Sequence, residues 1–97
     1  MGYIRIPTTT KGPVIVNADR ILNVGIDAGG NYIDLVLDFT GDGNRIELRF
    51  FNSSSSLNQS TLVQYNNAVI AAQNSAVVDI TPFTGQEINN FAYNPAP

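Results

Sequence analysis

Any chemistry in this chain would have to come from carboxylates. It has no histidine and no cysteine, Lys11 is the sole lysine, and eight Asp and Glu stand against five Lys and Arg. That inventory lacks the base that titrates near neutral pH, the thiolate nucleophile and the commonest transition-metal ligands. A serine nucleophile finds no activating partner in it. Asp34 and Asp38 share one face of a predicted strand, but four residues of strand hold them roughly 13 Å apart. Carboxyl pairs that cleave glycosides stand about 5–10 Å apart. Asp38, Asp42 and Asn44 gather around a glycine-rich turn, yet they lack the alternating oxygen ligands and closing Glu of a calcium loop. Turn chemistry explains them more simply. Gly41 and Gly43 begin a G-x-G, but Ile46 occupies the third glycine position, so a nucleotide fingerprint fails. The sequence therefore assigns no catalytic, metal or cofactor-binding residue and no small-molecule substrate, and it does not predict an enzyme.

The elements that carry these carboxylates are clearer. Asn31–Phe39 and Asn44–Phe51 alternate in the manner of two strands around the turn Thr40–Gly43. With Phe39 facing Asn44, Leu37 pairs with Ile46, Leu35 with Leu48 and Ile33 with Phe50 on one face. On the other, Asp38 meets Arg45 and Asp34 meets Arg49, as cross-strand ion pairs worth about 0.2–1 kcal/mol each. A one-residue slip would set apolar residues against charged ones, so two patterns select one register. Tyr32, Val36 and Phe51 fall on the charged face, and we read them as a contact surface for a neighbouring subunit.

Upstream, Ile4 and Ile6 alternate with Tyr3 and Arg5, and Pro7 to Gly12 reads as a turn. Val14–Val16 is a β-branched run, interrupted by Asn17–Ala18–Asp19. Leu22, Val24 and Ile26 then share a face, with Gly25 as the expected bulge or bend. Downstream, Asn52–Ser56 reads as a polar loop, and the sequons at Asn52 and Asn58 as loop composition. A helix is predicted over 56–76, with Ser56 or Thr61 as N-cap and Leu62, Tyr65, Val69, Ala72 and Ala76 as its apolar stripe. Residues 77–93 read as a C-terminal strand or arm: Val77–Ile80 as a strand ended by Pro82 and the Thr84–Gly85 turn, then Gln86–Tyr93 as a final strand or arm anchored by Ile88, Phe91 and Tyr93, with 94–97 as a frayed tail. The fold class is mainly β with one helix (α+β), in one domain spanning 1–97. Short, bent antiparallel strands of this kind close into a small barrel, with the helix after the fourth or fifth strand.

The net charge is −3, and only 13% of residues are charged. That weakens the case for electrostatic capture of nucleic acid. No apolar run approaches the roughly 20 residues of a membrane span, and residues 1–7 lack a signal-peptide core; the expectation is a cytoplasmic protein without a membrane partner. A core built from 97 residues without disulfides is marginal, so self-association is an attractive source of further stability.

The segments Tyr3–Ile4–Arg5–Ile6–Pro7–Thr8 and Ile15–Val16–Asn17–Ala18–Asp19–Arg20–Ile21, followed by a hairpin and a small-residue helix, resemble small Sm-like proteins of cyanophages and marine metagenomes. The second segment is also similar to the Asn-Pro-Asp-x-Ile turn of a type of small flagellar protein, without its proline. The Sm-like resemblance implies a strongly bent barrel, edge-strand pairing into homo-oligomeric rings, and a phage-infected bacterial host. The helix follows the strands here, whereas Sm proteins begin with it, and their loop motifs have no counterpart among Ile33–Phe51. No RNA-binding residue is carried over. The reading is a non-enzymatic module acting through protein–protein contacts. The alternative is RNA or single-stranded nucleic-acid binding, with Arg5, Lys11 and Arg20 gathered in a ring.

Overall fold

Why the chain pairs as it does begins at its two interruptions, the 3-10 turn at Ala18–Arg20 and the helix. The computed structural model describes residues 2–38, 45–74 and 77–95. Its strands are β1 (Tyr3–Ile6), β2 (Val14–Asn17), β3 (Ile21–Ile26), β4 (Tyr32–Asp38), β5 (Arg45–Phe51), β6 (Val77–Asp79) and β7 (Asn90–Pro95). The helix α1 (Gln59–Gln73) lies between β5 and β6.

The expected single antiparallel barrel is not what forms. Among the described residues there are two sheets, β2-β1-β6 and β3-β4-β5-β7. The Asn17 side chain accepts the Asp19 amide, and the 3-10 turn at Ala18–Arg20 ends β2 before β3 starts. The chain leaves one sheet there and enters the other, instead of bending a continuous strand through both. One pair is also parallel: β6 returns beside β1 with Tyr3 opposite Val77, since the helix carries the chain back in the direction of β1.

In β3 the bulge falls at Leu22, between Ile21 and Asn23, and not at Gly25. It turns Leu22 out to 51% exposure while Ile21 is buried and Val24 and Ile26 pack against the core. Leu22 therefore does not share the face of Val24 and Ile26. In the hairpin, β4 and β5 pair from Tyr32↔Phe51 to Asp38↔Arg45, the register expected from the two patterns. The turn residues 39–44, including Asp42 and Asn44, lie outside the described residues.

The helix begins later than expected. Asn58, not Ser56 or Thr61, is its N-cap, accepting from the amides of Ser60 at 3.1 Å and Thr61 at 3.3 Å. Ser56 Oγ instead donates to the Gly85 carbonyl at 2.8 Å, and the Thr61 hydroxyl donates to Gln86 Oε1 at 2.5 Å. Tyr65, Ala68, Val69 and Ala72 are buried; Ala76 lies outside the described residues. The helix packs on β3 and on β1 and β6, bridging the two sheets. Between them lie Ile4, Ile6, Ile33, Leu35, Leu48, Phe50 and Ile88, each almost wholly buried.

Asn52 is a structural residue and not loop filler. It is buried, donates to the Glu87 carbonyl at 2.7 Å, and accepts from the amides of Ser54 and Ser56. Gln86 joins the same clamp, accepting the Asn58 amide at 3.0 Å and donating to the Ser56 carbonyl at 2.7 Å. Gly30 completes it, at φ +75°, where a Cβ would lie 2.8 Å from the Ser55 carbonyl oxygen. The clamp delivers the chain to β7, which pairs with β5 as far as Pro95. Residues 94 and 95 are thus part of a strand, not of a frayed tail.

The Tyr65 hydroxyl is the costly feature of this core. It is buried with no hydrogen-bond partner among the described residues, and burial pushes its ionisation well above the usual phenol range. An unsatisfied buried hydroxyl costs about 1–3 kcal/mol. Tyr65→Phe is accordingly expected to hold or raise stability, by up to about 1 kcal/mol, in urea unfolding monitored by circular dichroism.

Candidate protein–protein interface

Two surfaces are built by this arrangement. The first is the outer face of the four-stranded sheet, the side turned away from the core. The pleat puts Tyr32, Asp34, Val36 and Asp38 of β4 on it, opposite Phe51, Arg49, Glu47 and Arg45 of β5. Gly25 of β3 flanks Asp34, and Ala92 of β7 flanks Arg49. The three expected contact residues, Tyr32, Val36 and Phe51, are therefore on one face, each half-buried. Tyr32 and Phe51 meet edge to face, with ring centroids 5.5 Å apart.

The charges on this face are arranged differently from the expected ladder of ion pairs. Arg49 is opposite Asp34, but its guanidinium donates to Glu47 Oε2 at 3.0 Å and lies over the Tyr32 ring, 4.6 Å from its centroid. A partner two residues away on its own strand, together with a ring face, outcompetes the cross-strand carboxylate. Asp34 is left with a buried Oδ1 that has no hydrogen-bond partner. Desolvation and the neighbouring Glu47 push its carboxyl up to about 6, against the opposing pull of Arg49. Glu47 was not singled out by sequence reading. Its spacing of two from Arg49 was the available signal, because it places both on one face.

The second surface is the β2 edge of the three-stranded sheet, which no strand among the described residues pairs. Between β2 and the inner face of the other sheet runs a groove of about 120 Å³, lined by Ile15, Val16, Arg20, Leu37, Leu48 and Tyr93 among others. Ile15 is 61% exposed and Tyr93 58%. Tyr93 is thus not a core anchor, unlike Ile88: it lies near the end of β7, on the wall of the open groove beside β2. Ile15 was legible as an outward residue only through its pairing opposite Arg5.

The basic residues considered for nucleic acid stand on separate elements. Arg5, on β1, makes a two-point ion pair with Asp79 of β6, and the hydrogen bond from Arg5 holds the Asp79 carboxyl below its usual range. Lys11, in the β1–β2 turn, sits 4.8 Å from the centre of the Phe91 ring. Arg20 ends the 3-10 turn and lines the groove. Among the described residues no helix is long and apolar enough to cross a membrane, and no three acidic side chains are gathered as a metal would require.

No protein-family model matches the chain, and searches of curated proteins and of solved structures find no similar protein.

The raised Asp34 carboxyl makes stability depend on pH. Its proton is held more tightly in the folded than in the unfolded chain, whose carboxyl ionises near 3.9. The contribution is whole below that value and is lost as pH rises through about 6. Asp34→Asn removes the penalty of the ionised form. It is expected to stabilise the protein at pH 7.5 by about 1 kcal/mol, after allowing for solvent screening, with little effect at pH 3.5; thermal unfolding at the two values checks this.

Proposed function

We propose that the protein is a non-enzymatic module that associates with copies of itself and acts through protein–protein contacts. The observation that carries this reading is the unpaired edge of β2, where Ile15 stands 61% exposed above the apolar groove. An edge strand presents unpaired backbone donors and acceptors, and proteins ordinarily blunt such edges with charge, proline or a bulge. Val14, Ile15 and Val16 carry no charge and pair with β1 without a register shift. An edge strand of a second copy would hydrogen-bond there, and its side chains would fill the groove over Leu37 and Leu48. The resemblance of Tyr3–Thr8 and Ile15–Ile21 to Sm-like phage proteins adds the expectation that the assembly closes as a ring.

Sedimentation velocity at high micromolar concentration tests the reading, and a defined oligomer is expected. Ile15→Lys, which places a charge on the edge, is expected to shift the chain towards smaller species, leaving the unfolding midpoint unchanged at low protein concentration and lowering it only where the unmodified protein associates. A strict monomer in the unmodified protein overturns the proposal. Because Arg5 and Lys11 are engaged within the fold, titration of oligo(U) and oligo(A) at low salt is expected to show no salt-sensitive anisotropy change below about 10 μM.

A further inference from the structure

The outer face of the hairpin carries a pattern of charges complementary to itself. Read towards the turn, β4 presents Tyr32, Asp34, Val36 and Asp38, and β5 presents Phe51, Arg49, Glu47 and Arg45 in register. Acids stand at two rows of one strand and bases at the same two rows of its neighbour. A second copy turned by 180° about an axis parallel to the strands, between β4 and β5, would lay each β4 over the other copy's β5, row upon row. Asp34 then faces the second copy's Arg49, Asp38 its Arg45, and Tyr32 its Phe51, while Val36 meets its Glu47, a carboxylate already paired with Arg49 of the same copy.

We propose that this face binds a second copy of the chain in that two-fold arrangement, through a surface distinct from the β2 edge. The alternative two-fold axis, perpendicular to the strands, would set β4 on β4, and with the two Val36 rows superposed it would place Asp34 against Asp38 and Arg49 against Arg45. Like-charge contacts of that kind reject a wrong geometry as effectively as attractive ones favour the right one. The row of Asp34 and Arg49 ends in Gly25 and Ala92, so at that row no flanking side chain keeps a second sheet beyond the usual separation of about 10 Å. Arg49 is already held in place by Glu47 and the Tyr32 ring. Such preorganisation lowers the entropy lost on docking. Asp34 feels the Arg49 of its own strand pair only at a distance, since that guanidinium is bonded to Glu47, and the second copy would add a further cation facing it. Covering Tyr32 and Val36 necessarily covers Asp34 between them, which gives the charge match its weight.

The test is sedimentation equilibrium of the full chain carrying Ile15→Lys, so that the β2 edge does not contribute. A dimer is expected to remain. Adding Asp34→Arg sets arginine against arginine and is expected to weaken it at least about tenfold. The exchange Asp34→Arg/Arg49→Asp restores complementarity and is expected to bring affinity back to within about threefold, while Val36→Arg abolishes dimer formation. If Asp34→Arg/Arg49→Asp does not fold, as judged by its thermal transition, Asp38→Arg against Asp38→Arg/Arg45→Asp makes the same comparison at the other charged row. A strictly monomeric Ile15→Lys protein overturns the inference and leaves the edge reading intact. Association that ignores both exchanges also overturns it. Association unchanged by Ile15→Lys itself counts against the edge reading alone.

Discussion

Seven consecutive residue pairs lock β4 to β5, and the alternation of the pleat makes that single register decide both faces of the larger sheet. Inward, it stacks Ile33, Leu35 and Leu37 against Phe50 and Leu48, supplying much of the buried apolar surface. Outward, it fixes which acid stands beside which base. Shifting one strand by a residue would bury its own charged set, Asp34 and Asp38 on β4 or Arg45 and Arg49 on β5, and expose its core residues, a change no local adjustment could offset. β3 and β7 then add to the two outer edges of this pair, and the helix closes the core from the side of β3.

The two-sheet architecture follows from a smaller constraint. Asn17 caps a 3-10 turn, which rotates the chain out of one sheet before the next begins. β2 is thereby left as an edge, and the space that a closed barrel would fill with a ladder becomes an apolar groove. The Asn52–Gln86 clamp does the opposite work on the far side, tying the entry of the helix to the approach of β7 through buried, well-satisfied hydrogen bonds. One side of the molecule is sealed by polar contacts and the other is open. The asymmetry is the basis for reading the open side as a place where another chain joins.

The outer face shows how little charge pairing follows from proximity in the register. Asp34 and Arg49 are direct cross-strand neighbours, yet the guanidinium selects Glu47 and an aromatic ring. A planar cation gains from stacking as well as from a carboxylate, and Tyr32 and Glu47 offer both at once. The cost falls on Asp34, whose carboxyl is desolvated beside a second acid. A surface that keeps such a group in place between two apolar side chains is less stable alone than its composition requires.

The sequence by itself determined the β-rich class with one helix, the hairpin register, and the helical stripe of Tyr65, Val69 and Ala72. These rest on local periodicities of two and of three to four, which survive in any context. It also identified Tyr32, Val36 and Phe51 as one face, a consequence of the same period. Only the tertiary structure decided that the strands divide into two sheets, that Leu22 is turned outward by a bulge, and that Asn52 is buried. It likewise decided that Tyr93 is exposed, that Asn58 rather than Ser56 caps the helix, and that Arg49 abandons Asp34. Each of these depends on competition between partners distant in the chain, Gly85 and Gln86 for Ser56 and Thr61, Glu87 for Asn52, the sheet boundary for Tyr93. No periodicity along the sequence encodes the outcome of such a competition.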